Sequence, residues 1–87
     1  MKVKQDYMLC EIAGENVVVP YGAAASSFRG MLRLNETGAA LWKMLESGAE
    51  ETELVGMLMR EFGADEAAAK NDTTEFLEKL RNIGCLE

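Results

Sequence analysis

LNETGAALW (residues 34–42) marks the point where the sequence changes from strand-like to helical periodicity. Asn35 is a favourable helix N-cap, and Leu41 and Trp42 begin an apolar helical stripe. Gly38 falls in the first turn of this helix, where glycine costs about 1 kcal/mol relative to alanine. Because glycine has no Cβ, we expect it to let this turn lie close against a neighbouring element such as a sheet.

The residues before this stretch predict a β-hairpin. Two runs rich in β-forming residues, near 6–13 and 16–20, flank a segment in which Gly14 and Asn16 supply turn residues. Pro20 has no N–H to donate to a neighbouring strand, so we expect it to end the second strand or lie at a sheet edge.

A third strand is predicted just before the helix. Residues 21–30 contain many small residues and have a glycine near each end, which is typical of a loop, and MLRLN follows. Its alternation places Met31 and Arg33 on one face and Leu32 and Leu34 on the other.

Three helices are predicted after Asn35. They cover about 36–46, about 51–62, and a segment that Asp65 caps and Gly84 ends. Their apolar stripes are, in order, Gly38, Leu41, Trp42 and Leu45; Leu54, Val55, Leu58 and Phe62; and Ala69, Thr73, Phe76, Leu77, Leu80 and Ile83. The order β-β-β-α-α-α predicts one α+β domain over residues 1–87, with three short helices on a small antiparallel sheet in a winged helix-turn-helix-like arrangement.

The charge distribution argues against nucleic-acid binding. The chain has 87 residues and a formal charge of −6. Residues 1–34 carry four Lys or Arg against three Asp or Glu, whereas residues 35–87 carry five against twelve. The helical half, with a net charge of −7, would repel phosphates.

The composition also argues against catalysis and cofactor binding. The chain contains no histidine, the commonest general base and metal ligand, and no GxGxxG or Walker sequence. Cys10 and Cys85 form no CxxC unit and are expected to be reduced, as in a cytoplasmic protein. No apolar run approaches the length of a membrane span. We therefore expect no metal, no cofactor and no membrane association.

The block that opened this section closely resembles the PqqD-like family. The residues that carry the resemblance are Leu34, Asn35, Glu36, Thr37, Gly38, Leu41, Trp42 and Leu45. It continues weakly through VVVP (17–20) and FLEKLRNIGCLE (76–87). One departure is Glu50, since the family often has threonine at the start of the second helix.

The resemblance implies a non-catalytic peptide chaperone. Family members recognise the leader segment of ribosomally made, later modified peptides and present it to a modifying enzyme, often a radical-SAM enzyme. The leader is added as a further strand at the open edge of the third strand and is clasped against the last helix. An exposed strand edge supplies the unpaired N–H and C=O groups that such binding needs.

The residues expected to contact the peptide follow from this geometry. On the strand side they are Arg29, Gly30, Met31, Leu32, Arg33 and Leu34, and on the third helix they are Lys70, Thr74, Leu77 and Arg81. Arg29 and Arg33 give the strand local positive charge, which favours a leader bearing Asp or Glu. The same strand edge could also pair with a second copy of the chain, so the sequence leaves a homodimer as an alternative.

Two other functions stay open at this point. A winged-helix DNA-binding regulator is compatible with the fold but opposed by the charge. An acyl-carrier-like protein would need a serine at a helix start, whereas Ser47 precedes a predicted turn and Ser26 and Ser27 lie in the predicted loop.

Overall fold

The first two strands form the predicted hairpin. The computed structural model describes residues 1–22, 25 and 32–87, with strands Tyr7–Ile12 (β1) and Glu15–Pro20 (β2) paired antiparallel. Ala13 and Gly14 form the turn with φ of 53° and 81°, as a two-residue type I′ turn requires. Asn16, expected in the turn, instead lies within β2 opposite Glu11, because two residues suffice for the turn.

The tight turn determines which backbone groups of β1 face β2. Residues that flank a two-residue turn form a hydrogen-bonded pair, and the pairs then alternate along the strands. The even-numbered residues of β1 therefore bond to β2, and the Tyr21 N–H donates to the Asp6 carbonyl at 2.9 Å in the same alternation. Pro20 lies opposite Tyr7 in a non-hydrogen-bonded pair, so β1 does not require an N–H from this position. As predicted, proline ends the strand.

The third strand, Leu32–Leu34 (β3), pairs antiparallel with β2 and lies at a sheet edge. The strand order is β1-β2-β3, so β1 forms the other edge of the described sheet. Leu32 and Leu34 are buried and Arg33 is exposed, as the alternation predicts. Most of the predicted loop, and Met31, lie outside the described residues.

Three helices follow, close to the predicted bounds: Glu36–Ser47 (α1), Glu51–Phe62 (α2) and Glu66–Ile83 (α3). Asn35 Oδ1 accepts a hydrogen bond from the Gly38 N–H, and Asp65 Oδ1 accepts one from the Ala68 N–H, each at 2.8 Å. At the start of α2 the Glu50 N–H donates to the Glu53 carboxylate at 2.8 Å. Each helix therefore begins with a side chain that satisfies an otherwise unpaired amide.

The helices bury one face of the sheet. Trp42, Leu45, Leu54, Leu80 and Val18 are fully buried in this core, and burial of each large apolar side chain contributes about 1.5–3 kcal/mol. The predicted stripes are confirmed on α1 and nearly so on α3, where Ile83 is half-buried.

The stripe predicted for α2 is wrong at its end. Phe62 is 40% exposed, and Met57 is buried in its place at 6%. Phe62 is the last residue of the helix, Gly63 follows it in the left-handed conformation, and the ring lies outside the core cluster. None of the described helices combines the length and the apolar composition of a membrane span.

Candidate functional site

A cleft of about 440 Å³ separates the β3 edge and the start of α1 from α3. One wall consists of Arg33, Leu34, Asn35, Thr37, Gly38 and Leu41, and the other of Asp72, Glu75, Phe76 and Lys79. The first wall is the LNETG segment itself. The most distinctive stretch of the sequence thus lines a concave surface at a sheet edge.

Gly38 lies where the walls meet. A Cβ at this position would lie 3.2 Å from Asn35 Oδ1, 3.3 Å from Leu34 Cβ and 3.4 Å from Phe76 Cε1. The expectation that Gly38 permits close approach is therefore confirmed, since both the sheet and α3 crowd the missing side chain. Asn35 Oδ1 is held there by the Gly38 N–H and by the Thr37 hydroxyl, which donates at 2.9 Å.

Arg33 presents its backbone to the open edge of the sheet. Its neighbours Leu32 and Leu34 lie opposite Val18 and Asn16, and alternation from the hairpin makes these the hydrogen-bonded pairs. The N–H and C=O of Arg33 therefore point away from β2, toward the edge. Among the described residues, no backbone group outside the sheet pairs with them.

The cleft carries both signs of charge. Arg33 and Lys79 are cations on opposite walls, and Asp72 and Glu75 are anions on α3. The Arg33 side chain is exposed and its Nε lies 3.7 Å from Glu15, so this ion pair contributes at most about 1 kcal/mol. A ligand therefore meets a balanced rim, although the chain as a whole carries −6.

The groups with shifted pKa values do not line the cleft. Burial raises the pKa of the Cys85 thiol to about 11, and burial also raises the pKa of Tyr7. In the described residues, no three His, Cys, Asp or Glu side chains are grouped to hold a metal ion. The features that distinguish the cleft are its shape and its free strand edge.

The strand residues predicted to bind a peptide lie partly at the cleft. Arg33 and Leu34 line it, whereas Leu32 is buried at 9% exposure and packs in the core. Arg29, Gly30 and Met31 lie outside the described residues.

The residues predicted on α3 do not line the cleft. Lys70 and Thr74 line a separate groove against α2, and Leu77 is 1% exposed within the core. The guanidinium of Arg81 donates toward Met1 Sδ at 3.8 Å. The structure instead brings Asp72, Glu75, Phe76 and Lys79 to the β3 side. Their spacing of three and four residues is a sequence signal for one helix face, although the apolar pattern assigns Phe76 only to the core.

Together, fold and cleft define a small α+β domain in which one open strand edge faces a helix across a groove. The chain belongs to the PqqD family: the model of coenzyme PQQ synthesis protein D (PqqD) matches residues 15–86. The family predicted from LNETG…LW is thereby confirmed. No curated protein matches the chain.

Two solved structures share the fold over nearly the whole chain. TbiB1 in complex with the TbiA(beta) leader peptide is 25% identical, with a TM-score of 0.79 over 100% of this chain and 95% of that one. Lasso peptide synthetase B1 complexed with the leader peptide is 17% identical, with a TM-score of 0.77 over 97% and 93%.

Proposed function

We propose that this chain is a non-catalytic chaperone that binds the leader of a ribosomally made precursor peptide and presents it to a modifying enzyme. The leader is added as a strand beside β3 and lies in the cleft against α3. The observation that carries this proposal is the outward-facing amide and carbonyl of Arg33 at the mouth of the cleft. These groups match the backbone of an extended peptide.

The comparisons support the peptide-binding part of this proposal. The chain belongs to the PqqD family, and the TbiB1 structure that it resembles was solved with a leader peptide. The class of the modifying enzyme, expected to be radical-SAM, and a cytoplasmic location stay predictions from the resemblance and the composition.

Strand addition determines how the peptide's side chains are arranged. The peptide residue that exchanges hydrogen bonds with Arg33 shares the outer face of the sheet with the Arg33 side chain. The residues before and after it then point to the inner face, where Leu34 and Phe76 line the cleft. We therefore propose that two peptide side chains, separated by one residue, supply the apolar contacts.

Charge gives this recognition an orientation. A peptide carboxylate is favoured near Arg33 or Lys79, and a peptide cation near Asp72 or Glu75. Contacts from Arg29, Gly30 and Met31 stay predictions. Lys70, Thr74 and Arg81 contact the same peptide only if it extends beyond the cleft.

A pair of substitutions at one position tests strand addition. Arg33→Pro removes the outward N–H and leaves the ladder to β2 intact, because proline is tolerated where the N–H faces away from the sheet. Arg33→Ala removes the side chain and keeps the N–H. A peptide carbonyl without its donor costs about 1–3 kcal/mol, which is about 5- to 150-fold in affinity.

The assay is calorimetric titration with the precursor peptide encoded beside the gene, together with amide NMR shifts. We expect Arg33→Pro to bind the peptide far more weakly than Arg33→Ala does. In the wild-type protein we expect the peptide to shift the amide resonances of residues 32–38 and 72–79. Thermal melting checks that both variants are folded. Equal affinity of the two folded variants would exclude strand addition at Arg33, and shifts that avoid both segments would exclude the cleft.

A further inference from the structure

The two edges of the sheet are protected to different degrees. In the described residues β3 has three residues, of which Arg33 carries a charge, so this edge offers a short segment to a pairing strand. β1 has six residues, YMLCEI, without lysine, proline, glycine or a bulge. A long, nearly uncharged edge of this kind is a site where another strand pairs.

The sheet face beside β1 that turns away from the core is apolar as well. Met8, Cys10 and Ile12 lie on this face, opposite Val19, Val17 and Glu15 of β2. Met8 is 45% and Ile12 50% exposed, whereas Cys10 is half-buried and Val17 is only 3% exposed, so the exposed apolar surface is that of Met8 and Ile12. The outer face of an antiparallel sheet is ordinarily polar. The exposed apolar side chains beside the β1 edge therefore form a surface that a partner strand could bury.

The hydrogen-bond alternation identifies the backbone groups at this edge. Because the even-numbered residues of β1 bond to β2, the amides and carbonyls of Leu9 and Glu11 point outward. Among the described residues, no backbone group outside the sheet pairs with them. Both are separated by β2 from the cleft at β3.

We propose that β1 pairs antiparallel with β1 of a second copy of this chain, about a two-fold axis at Cys10. In a symmetric antiparallel pair the two-fold axis lies between a residue of one strand and the same residue of the other, because directly opposite side chains must lie on the same face of the joined sheet. With the axis at Cys10, Leu9 and Glu11 of the two copies exchange backbone hydrogen bonds. Met8 then lies opposite Ile12 of the second copy.

The apolar and charged side chains of β1 favour this register over the two registers with the axis one residue away. An axis at Leu9 would place Ile12 opposite Asp6 of the second copy, and an axis at Glu11 would place two carboxylates directly opposite each other. With the axis at Cys10, the two most exposed apolar side chains of β1 bury each other and Glu11 faces Leu9. The strand is therefore self-complementary, which favours a second copy over an unrelated strand.

This dimer leaves both β3 clefts at the outer ends of a joined six-stranded sheet. The inference is independent of the proposed function, since it uses the other edge. Because each copy carries −6, long-range repulsion opposes association and salt should strengthen it.

Sedimentation equilibrium of the full chain from 1 µM to 1 mM, at low and at 0.5 M salt, tests the proposal. The matched variants are Glu11→Pro, which removes an outward N–H on each copy, and Glu11→Ala, which keeps it. Since the hydrogen bond is lost twice, we expect Glu11→Pro to weaken the dimer by about 100-fold. Glu11→Ala should change the dissociation constant by no more than about threefold, because it removes only an exposed charge.

Cross-linking tests the register. Cα atoms of directly opposite residues in a non-hydrogen-bonded pair lie about 4.5 Å apart, which permits a disulfide. Mild oxidation should therefore link Cys10 to Cys10, and buried Cys85 should stay unlinked. In a Cys10→Ser background, Met8→Cys should link to Ile12→Cys on the other copy.

Three outcomes would overturn the proposal. They are a monomer over the whole concentration range, a dimer equally stable in both Glu11 variants, and a dimer without cross-links at these positions. Protection of the Leu9 and Glu11 amides only when a modifying enzyme is added would assign the edge to that partner instead.

Discussion

Replacing Gly38 with alanine should destabilise the protein, although helix propensity alone predicts the opposite. Gly38 is in the first turn of α1, and alanine gains up to about 1 kcal/mol over glycine in a helix. The added Cβ would lie 3.2–3.4 Å from three atoms, one each on Asn35, Leu34 and Phe76. The balance depends on whether these atoms move.

None of the three neighbours moves freely. The Asn35 oxygen caps α1 through its 2.8 Å hydrogen bond, the Leu34 Cβ is fixed to a strand, and the Phe76 ring is 8% exposed in the core. Overpacking of this kind costs about 1–3 kcal/mol. After subtracting the propensity gain, we expect a loss of about 1 kcal/mol, which lowers the melting temperature by about 4–8 °C.

Gly56→Ala is the matched control. Gly56 is in the interior of α2, and a Cβ there would meet only the flexible end of Arg60, at 3.4 Å. This variant should therefore be more stable than wild type by about 0.5–1 kcal/mol. Urea unfolding of both variants measures the difference. A Gly38→Ala protein as stable as Gly56→Ala would refute the role of close approach.

Two further predictions concern stability. Asn35→Ala removes the acceptor for the Gly38 N–H and the Thr37 hydroxyl, and it should lower the free energy of unfolding in urea by about 1 kcal/mol. Asn35→Asp keeps the acceptor and should be about as stable as wild type. Equal losses in the two variants would show that the cap contributes nothing. Burial raises the pKa of Cys85 from 9.0 to about 11, so the unfolded chain loses this proton at lower pH than the folded protein does. The contribution of the protonated thiol to the free energy of unfolding should therefore be fully present below pH 9 and be lost between pH 9 and 11. At pH 10 we expect a loss of about 1 kcal/mol. Cys85→Ala should lack this contribution and keep only the decrease that comes from Tyr7, whose pKa burial also raises. An identical pH profile for the variant would exclude Cys85 as a source.

Sequence signals that act locally predicted the elements well. Asn35 and Asp65 cap the first and third helices as expected, and Gly63 and Gly84 end helices in the left-handed conformation. The hairpin followed from two β-rich runs around a glycine-containing turn. These features depend on residues close in sequence, so the chain itself specifies them.

The face of α3 at the cleft could not be predicted in the same way. The buried stripe through Ala69, Phe76 and Leu80 shows which side faces the core but leaves two flanks. Lys70 and Thr74 lie on one flank, and Asp72, Glu75 and Lys79 on the other. Which flank meets β3 depends on how α3 is placed relative to α2, a property of the tertiary packing.

The length of the hairpin turn connects the two proposed binding edges. With two residues in the turn, alternation directs Leu9 and Glu11 of β1 outward and, across β2, also directs Arg33 outward. Arg33 points its side chain away from the core. In the proposed complex, the peptide residue paired with Arg33 would therefore also point away, and the two residues beside it would reach Phe76. Outward backbone at Leu32 or Leu34 would instead direct the paired peptide residue itself into the cleft. In the proposed complex, the turn at Ala13 and Gly14 would therefore determine which peptide residues point into the cleft.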